Sequence, residues 1–205
     1  MIELVAFLGN YGREYENTRH NVAWLFEKSL PFDSKIVWQN KHKADFCAVD
    51  SSVFYSWLGF EGQVKNAPSK IYLLKPMTYM NLSGDSIGEV CHFYKIKAEN
   101  VLVVHDEIEL PFGTVSFKWS GGLGGHNGLR STKAVLGTAD FYRLRFGVGK
   151  PSDGNIADYV LGNFTSDERI SMEQIFVMTQ ELFKKALTST NPMNLIASWG
   201  KKKLI

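Results

Sequence analysis

The chain has 205 residues, of which 44% are apolar and 21% are charged, and its formal net charge is +2. This balance is typical of a globular protein with one sizeable core, and it excludes both a disordered chain and a purely electrostatic binder of nucleic acids. Cys47 and Cys91 are too few for a disulfide framework, and no apolar run reaches the ~20 residues that a membrane span needs. We therefore expect one cytoplasmic domain over residues 1–205 that does not associate with membranes.

The apolar patterns predict strands and helices in alternation. The predicted strands cover residues 2–8, 45–50, 53–58, 71–75, 101–104, 112–119 and 143–148. The predicted helices cover residues 19–30 (capped by Thr18), Asn81 or Ser83 to Tyr94, 127–136 and 167–188. The alternation favours an α/β fold, a three-layer α/β/α sandwich around a twisted, mostly parallel mixed sheet. The inner face of the last helix is expected to consist of Ile170, Ile175, Val177, Met178, Leu182 and Phe183.

Ligands of such sheets bind beyond the carboxyl ends of the strands, where this sequence carries several polar clusters. The first cluster follows residues 2–8, with Asn10 in a glycine turn and His20 at the opening of the next helix. The positive end of a helix disfavours imidazolium, which makes His20 a candidate general base. A helix-capping or core histidine explains this stretch equally well when it is taken alone.

Two further clusters follow predicted strands. Asn81, at the start of the next helix, carries an amide that can donate hydrogen bonds to an ester carbonyl or an oxyanion. Taken alone, an ordinary helix cap is the better explanation of that asparagine. The run His105-Asp106-Glu107 follows four apolar residues, and a carboxylate there can orient a histidine ring. The alternative is a solvated acidic turn.

A glycine-rich turn over residues 121–125 leads into His126 and Asn127 at the start of a helix. Glycines let the backbone approach a ligand and a helix N-terminus attracts anions, but the spacing is not that of a Walker motif. The flanking basic residues are more simply solvated surface charges: Lys118, Arg130, Lys133, Arg143, Arg145 and Lys150. The lysines at 201–203 are expected to form a frayed, solvated end, with RNA contact as the less favoured alternative.

A metal site would have to draw on His20, His105, His126 and Asp106. No two histidines have the i, i+4 spacing of a helical ligand pair and no cysteine cluster is present, so we expect no metal. The G-x-S-x-G pattern of a serine esterase is also absent from the sequence.

Taken in order, these stretches resemble the bacterial-type peptidyl-tRNA hydrolase family from residue 4 to about residue 165. The matching text is Leu8-Gly9-Asn10, Tyr15, Thr18-Arg19-His20-Asn21, Lys75 to Gly84, His105-Asp106-Glu107, Leu110-Pro111, Gly113, Gly124 to Leu129, Arg143 to Gly149 and Tyr159-Val160-Leu161. Each piece is moderately specific, whereas the ordered set is highly specific.

The resemblance implies a monomeric α/β enzyme without metal or organic cofactor that hydrolyses the ester between a peptidyl group and the 3′ ribose of tRNA. It implies no obligate protein partner, and it assigns His20 as the general base and Asp106 as the carboxylate that orients it. It also implies a substrate site formed by Asn10, Tyr15, Met80, Asn81, His126 and Asn127, with tRNA phosphate contacts at Lys118 and Arg145.

The sequence departs from the family pattern at Tyr11, Ala23, Ser120 and Leu123. Tyr11 is expected to affect how Asn10 is aimed. Leu123 lies in the segment expected to gate the site, so it is expected to affect substrate access.

Two other functions compete with the esterase. One is a non-catalytic RNA-binding protein on the same fold, although a pure binder has no chemical reason to keep His20, Asp106, Asn10 and Asn81 together. The other is a metal-dependent amidase or peptidase, which would lose its activity when a chelator is added.

Overall fold

A computed structural model describes residues 1–151 and 153–205 of the chain. The strands are β1 (Leu4–Phe7), β2 (Gln39–Lys41), β3 (Ala44–Asp50), β4 (Lys70–Pro76), β5 (Val101–Glu107), β6 (Thr114–Trp119), β7 (Tyr142–Gly147) and β8 (Lys202–Lys203). The α-helices are α1 (Val22–Lys28), α2 (Ser51–Trp57), α3 (Ser83–Tyr94), α4 (Asn127–Leu136), α5 (Ile156–Val160), α6 (Ser166–Thr188) and α7 (Ile196–Trp199). Within the described residues, the strands form one sheet in the order β2-β3-β4-β1-β5-β7-β6-β8.

The centre of the sheet is parallel and its edges are antiparallel. Strands β4, β1, β5 and β7 run in one direction, whereas β3 and β6 pair antiparallel at the two sides of this group. Parallel neighbours need a long crossover, which the intervening helices supply. The predicted α/β fold with a mixed, largely parallel sheet is confirmed.

Helices cover both faces of the sheet. Phe7 of β1 packs in a core cluster with Phe26 of α1 and Phe183 of α6. Its neighbour Ala6 points to the other face, where Ile87 of α3 belongs to a second core cluster. Because successive strand residues face opposite sides, β1 contributes to both cores and the three predicted layers follow.

Two predicted elements need correction at the start of the chain. Residues 53–58 are not a strand but the end of α2 and its C-cap Leu58, because Phe54, Tyr55 and Leu58 are buried together at the spacing of one helical face. The helix predicted over 19–30 begins as a 3-10 turn and becomes α-helical only at Val22. Thr18 does not cap it, since its hydroxyl donates to the carbonyl of Tyr15 at 2.8 Å.

The predicted inner face of the last helix is correct in part. In α6, Ile175, Leu182 and Phe183 are buried, but Ile170, Val177 and Met178 are exposed. The buried stripe instead follows the i, i+3, i+4 spacing through Met172, Ile175, Phe176, Thr179, Leu182, Phe183, Ala186 and Leu187. In the described part of the chain, no helix is long and apolar enough to cross a membrane.

The predicted frayed end is a strand in the structure. Lys202 and Lys203 form β8, which pairs antiparallel with β6. Beyond it, the backbone N–H of Leu204 donates to the carbonyl of Gly113 at 2.8 Å. The lysine-rich end is therefore held against the edge of the sheet by backbone hydrogen bonds. No side-chain pattern in the sequence predicts this pairing.

A buried ion pair between α1 and β4 should make folding stability depend on pH. Glu27 is fully buried, and its carboxylate lies 3.2 Å from Nζ of Lys75. Burial raises the pKa of Glu27 from 4.5 to about 7, although the charge of Lys75 acts in the opposite direction. The folded state then binds more protons than the unfolded state between these pH values, so stability falls as pH rises through this window. Relative to E27Q, we expect the wild type to lose on the order of 3 kcal/mol across it.

The measurement is urea unfolding of both proteins from about pH 4.5 to about pH 8. E61Q, which changes an exposed glutamate, is the matched control and should track the wild type. A wild-type minus E27Q difference that stays flat with pH would contradict the expectation.

Candidate active site

A cavity of about 320 Å³ opens at the carboxyl ends of β1 and β5. All of the predicted catalytic and substrate-binding residues line it, except Tyr15. Parallel strands end at the same edge of a sheet, and the loops that follow them therefore converge there. Three polar clusters that are far apart in the sequence meet in this way.

The central polar cluster belongs to a buried strand. The sequence predicted a strand that stops at Val104, but β5 continues through Glu107, and His105, Asp106 and Glu107 are all buried. The alternative of a solvated acidic turn is therefore wrong. His105 donates from Nδ1 to the backbone carbonyl of Asp106, and burial and the neighbouring His126 hold the pKa of His105 well below 6.5.

His20, Asp106 and His126 form one hydrogen-bonded group. Oδ1 of Asp106 accepts from Nδ1 of His20 at 2.8 Å and from Nε2 of His126 at 2.9 Å. Nδ1 of His126 accepts from the backbone N–H groups of Gly128 and Leu129, so the ring proton of His126 lies on Nε2. When His20 is neutral, its Nε2 carries a free lone pair and can accept a proton from water.

Burial and charge act in opposite directions on this group. Burial lowers the pKa of His20, but the Asp106 carboxylate raises it by more, so the pKa lies above 6.5. Burial raises the pKa of Asp106, but His20 and His126 lower it further, so the net pKa lies well below the usual range of an aspartate. The carboxylate therefore stays ionised beside His20, where it stabilises the positive charge of a protonated ring.

Asn10 is locked in place at the mouth of β1. Its Oδ1 accepts from the backbone N–H of Met80 at 2.7 Å, and its backbone exchanges two hydrogen bonds with the side-chain amide of Asn21, at 2.8 and 3.0 Å. Tyr11 departs from the family pattern but leaves this arrangement intact, because its ring is exposed and its N–H reaches the carbonyl of Thr78.

Helix α4 begins at the cavity. His126 is its N-cap and Asn127 its first residue, while Asn81 lies in the 3-10 turn that leads into α3. Both amides are exposed at the cavity, and within residues 1–151 and 153–205 neither is hydrogen-bonded to the protein. A Cβ on Gly128 would come within 2.6 Å of Sδ of Met80, so only glycine lets α4 approach the Met80 segment this closely.

The loop of residues 121–125, here called the glycine loop, borders the cavity and is held by Arg143. The guanidinium donates to the carbonyl of Gly122 at 2.7 Å and to that of Gly121 at 3.0 Å. Arg143 is almost completely buried, so its interpretation as a solvated surface charge is wrong. Because β7 directs this side chain under the loop, a buried cation anchors the edge of the cavity.

Replacing Arg143 by lysine should loosen the glycine loop without removing the charge. An ammonium lacks the planar fork that reaches both carbonyls at once, so one anchor is lost. We expect kcat/KM for the ester that the resemblance implies as substrate to fall roughly tenfold, because misplacing a positioning element is costly. Hydrogen exchange in residues 121–125 should accelerate as well.

The matched control is R169K, the same change at an exposed arginine of α6. That variant should keep both wild-type activity and wild-type hydrogen exchange. Unchanged exchange in R143K would show that Arg143 does not hold the loop.

The two predicted phosphate contacts lie beside this loop. Arg145 contacts Oε2 of Glu107 at 3.3 Å and donates to the hydroxyl of Ser116 at 2.7 Å. Lys118 is half-buried, and burial together with Arg145 and Arg143 lowers its pKa. Cations therefore outnumber carboxylates here, which suits a phosphate ligand, although the phosphate role of both residues stays a prediction.

Tyr15 and Leu123 lie outside the cavity lining. Tyr15 is half-buried in the 3-10 turn before His20, and its part in substrate binding stays a prediction. Leu123 packs against the second core cluster instead of facing the cavity, so this departure from the family pattern does not narrow the opening.

The histidines and Asp106 also need to be considered as metal ligands. One ligand atom from each of His20, Asp106 and His126 lies within 4.8 Å of the others. In the observed arrangement, however, both nitrogens that face Asp106 are hydrogen-bonded to its carboxylate, and the other nitrogen of His126 is occupied by the N-terminus of α4. A metal would have to displace both hydrogen bonds to Asp106, so the geometry fits the proton-transfer role better.

Sequence reasoning missed several residues that build the site. Asn21 positions Asn10, Glu107 pairs with Arg145, and Ile156 and Leu161 form an apolar wall of the cavity. Leu161 lies in a stretch that matched the family pattern but received no role. Its position could not be inferred, because α5 reaches the cavity only through tertiary packing.

The comparisons with known proteins agree with this geometry. The family model for peptidyl-tRNA hydrolase matches residues 4–203. The chain belongs to the peptidyl-tRNA hydrolase family. A peptidyl-tRNA hydrolase of Treponema pallidum (strain Nichols) is 44% identical over 208 residues, covering 100% of this chain and 97% of that relative. One of Oleidesulfovibrio alaskensis is 40% identical over 176 residues, covering 84% of this chain and 83% of that relative.

Solved structures of the family have the same fold. The crystal structure of peptidyl-tRNA hydrolase from Acinetobacter baumannii superposes with a TM-score of 0.79 at 33% identity. The superposition covers 97% of this chain and 96% of that one. The α/β architecture of this chain is therefore that of the peptidyl-tRNA hydrolases.

Proposed function

We propose that this chain hydrolyses the ester that joins a peptidyl group to the 3′ ribose of tRNA. The observation that carries the proposal is the hydrogen bond between Nδ1 of His20 and Asp106 at the cavity, which leaves Nε2 of His20 as a proton acceptor. Membership of the peptidyl-tRNA hydrolase family supports the substrate class and does not support the alternative of a non-catalytic RNA binder.

In the proposed reaction, His20 removes a proton from a water molecule that attacks the ester carbonyl. Asp106 holds the ring and offsets its positive charge, while the amide of Asn81 or Asn127 donates to the oxyanion. The ribose oxygen leaves and takes up the proton, which gives free tRNA and a peptide carboxylate. An ester is reactive enough to be hydrolysed without a metal. A positioned general base accelerates the reaction ~10²–10⁴-fold, and one hydrogen-bond donor to the oxyanion accelerates it ~10²–10³-fold.

The proposal includes the remaining expectations about the protein. Asn10 and Met80 would contact the substrate around the scissile bond, with Tyr15 nearby. Lys118 and Arg145 would bind tRNA phosphate. The protein would act as a cytoplasmic monomer of one domain, without cofactor or obligate protein partner.

The deciding experiment compares two substrates. Purified, EDTA-treated protein is incubated with N-acetylated aminoacyl-tRNA and with free aminoacyl-tRNA, and release of the amino-acyl group is followed. We expect cleavage of the acetylated substrate and sparing of the free one. No cleavage of either would overturn the proposal, and activity that returns only with added metal would favour the metallohydrolase alternative.

A further inference from the structure

The C-terminal lysine strand β8 extends the sheet on the side of the predicted phosphate contacts. Its register pairs Lys203 with Thr114 and Lys202 with Val115 of β6. Residues that pair directly across two strands point to the same face, and neighbours along a strand point to opposite faces. The two lysines therefore leave the sheet on opposite sides.

Lys203 shares its face with the known cations of this region. On β6, Thr114, Ser116 and Lys118 alternate onto one face, and on β7 Arg145 pairs with Ser116. Positions two residues apart along a strand are about 7 Å apart. Lys203, Arg145 and Lys118 therefore form a row of cations across three adjacent strands.

The row ends at the catalytic cavity. Lys118 lies beside Gly121 of the glycine loop, where an added Cβ would come within 3.1 Å of its Nζ, and Arg143 holds the carbonyl of Gly121 from the same face. Along the row, Glu107 is the carboxylate that faces the cations, and it is already paired with Arg145. Among residues 1–151 and 153–205, no carboxylate lies within ion-pair distance of Lys203, so its charge is not neutralised.

Lys202 has a different environment. Its Nζ lies 4.1 Å from the ring centroid of Trp199, in the core cluster on the opposite face of the sheet. A cation held over an aromatic ring is already stabilised by the protein. The adjacent lysines thus differ in face and in availability, although both are exposed.

We propose that Lys203 extends the phosphate-binding row of Lys118 and Arg145, and that this row binds the sugar-phosphate backbone of the RNA whose 3′ end enters the cavity. The inference rests on the proposed function, because it takes the RNA part of that substrate as the ligand. A regular row of fixed cations suits a regular row of phosphates and is indifferent to base sequence.

The test uses two charge reversals in one strand, K203E and K202E, with K203Q as a milder variant. The affinity of each full-length protein for deacylated tRNA is measured between about 50 and 200 mM salt. We expect K203E to weaken tRNA binding roughly 3- to 10-fold at the lower salt concentration. The slope of the logarithm of affinity against the logarithm of salt concentration should also become shallower, by about the amount that one phosphate contact contributes. K202E should stay near wild type, and K203Q should fall between wild type and K203E.

A second substrate separates this inference from the proposed function. An N-acetylated aminoacyl ester of a short 3′-terminal oligonucleotide lacks the backbone that would reach Lys203. K203E should cleave it at the wild-type rate, while its KM for peptidyl-tRNA rises. If K203E and K202E bind tRNA equally, or if the salt slope of K203E is unchanged, the inference is wrong. If the wild type cleaves neither substrate, the proposed function fails instead, and the tRNA affinities still report on the row.

Discussion

Replacing His20 by alanine is expected to lower kcat for an N-acetylated aminoacyl-tRNA by about 10²–10⁴-fold. The reason is that Nε2 of His20 is the proton acceptor at the cavity, with its ring oriented by the 2.8 Å hydrogen bond to Asp106. His126 cannot substitute for it, because both of its nitrogens are already engaged, one with Asp106 and one with the start of α4. The measurement is kcat under saturating substrate.

The same imidazole should determine the acidic limb of the pH profile. Because Asp106 holds the pKa of His20 above 6.5, the base is lost by protonation as pH falls through that raised value. Wild-type kcat should therefore show an acidic limb at a pH above the ordinary histidine pKa value, and the slow residual activity of H20A should lack this limb. H92A, which removes an exposed histidine of α3, is the matched control and should keep both rate and limb. Activity of H20A within a few fold of wild type would remove His20 from the role of base.

Asp106→Asn is expected to lower kcat by about 10²–10⁴-fold while leaving tRNA binding intact. The side-chain oxygen of an asparagine can still accept both hydrogen bonds that Oδ1 of Asp106 accepts, so the neighbouring rings need not move far. The neutral amide cannot stabilise imidazolium, however, and the pKa of His20 loses the contribution that raises it. The acidic limb of the profile should therefore move to lower pH, which a purely structural role of Asp106 would not cause.

Folding stability should also depend on pH through His20 and Asp106, and the two residues should act in opposite directions. The raised pKa of His20 stabilises the fold below 6.5, and this contribution is lost as pH rises through the folded value. The lowered pKa of Asp106 stabilises the fold above 3.8, and this contribution is lost as pH falls. The stability advantage of wild type over D106N should therefore be largest between these two values and shrink on either side.

The control for this variant is D50N, which changes an exposed aspartate paired with Lys70. It should match wild type in rate, in pH profile and in the pH dependence of unfolding. Equal loss of tRNA affinity and turnover in D106N would indicate a folding defect. An acidic limb at the same pH as in wild type would contradict the proposal that Asp106 raises the pKa of His20.

The sequence determined the fold class and indicated most of the polar residues that line the cavity. Strand and helix patterns are local, since they depend on the spacing of apolar residues, and they were sufficient for the α/β sandwich. Glycine turns and polar clusters after apolar runs indicated candidate residues, as at Asn10 and His105-Asp106-Glu107, but their catalytic roles came from the ordered resemblance to the family. The ends of parallel strands converge, so the position along each strand already implied proximity.

Tertiary structure decided the residues whose environment depends on a distant segment. Residues 53–57 are helical because one face of α2 is buried against the core. Val177 and Met178 are exposed because a neighbouring stripe of α6 packs against the core instead. The sequence does not distinguish Arg143 from a surface cation, because only its position on β7 places the guanidinium under the glycine loop. Likewise, the lysines of β8 have no pattern of their own, and only pairing with β6 gives Lys202 and Lys203 different faces. Burial and register are set by long-range contacts, which local spacing does not encode.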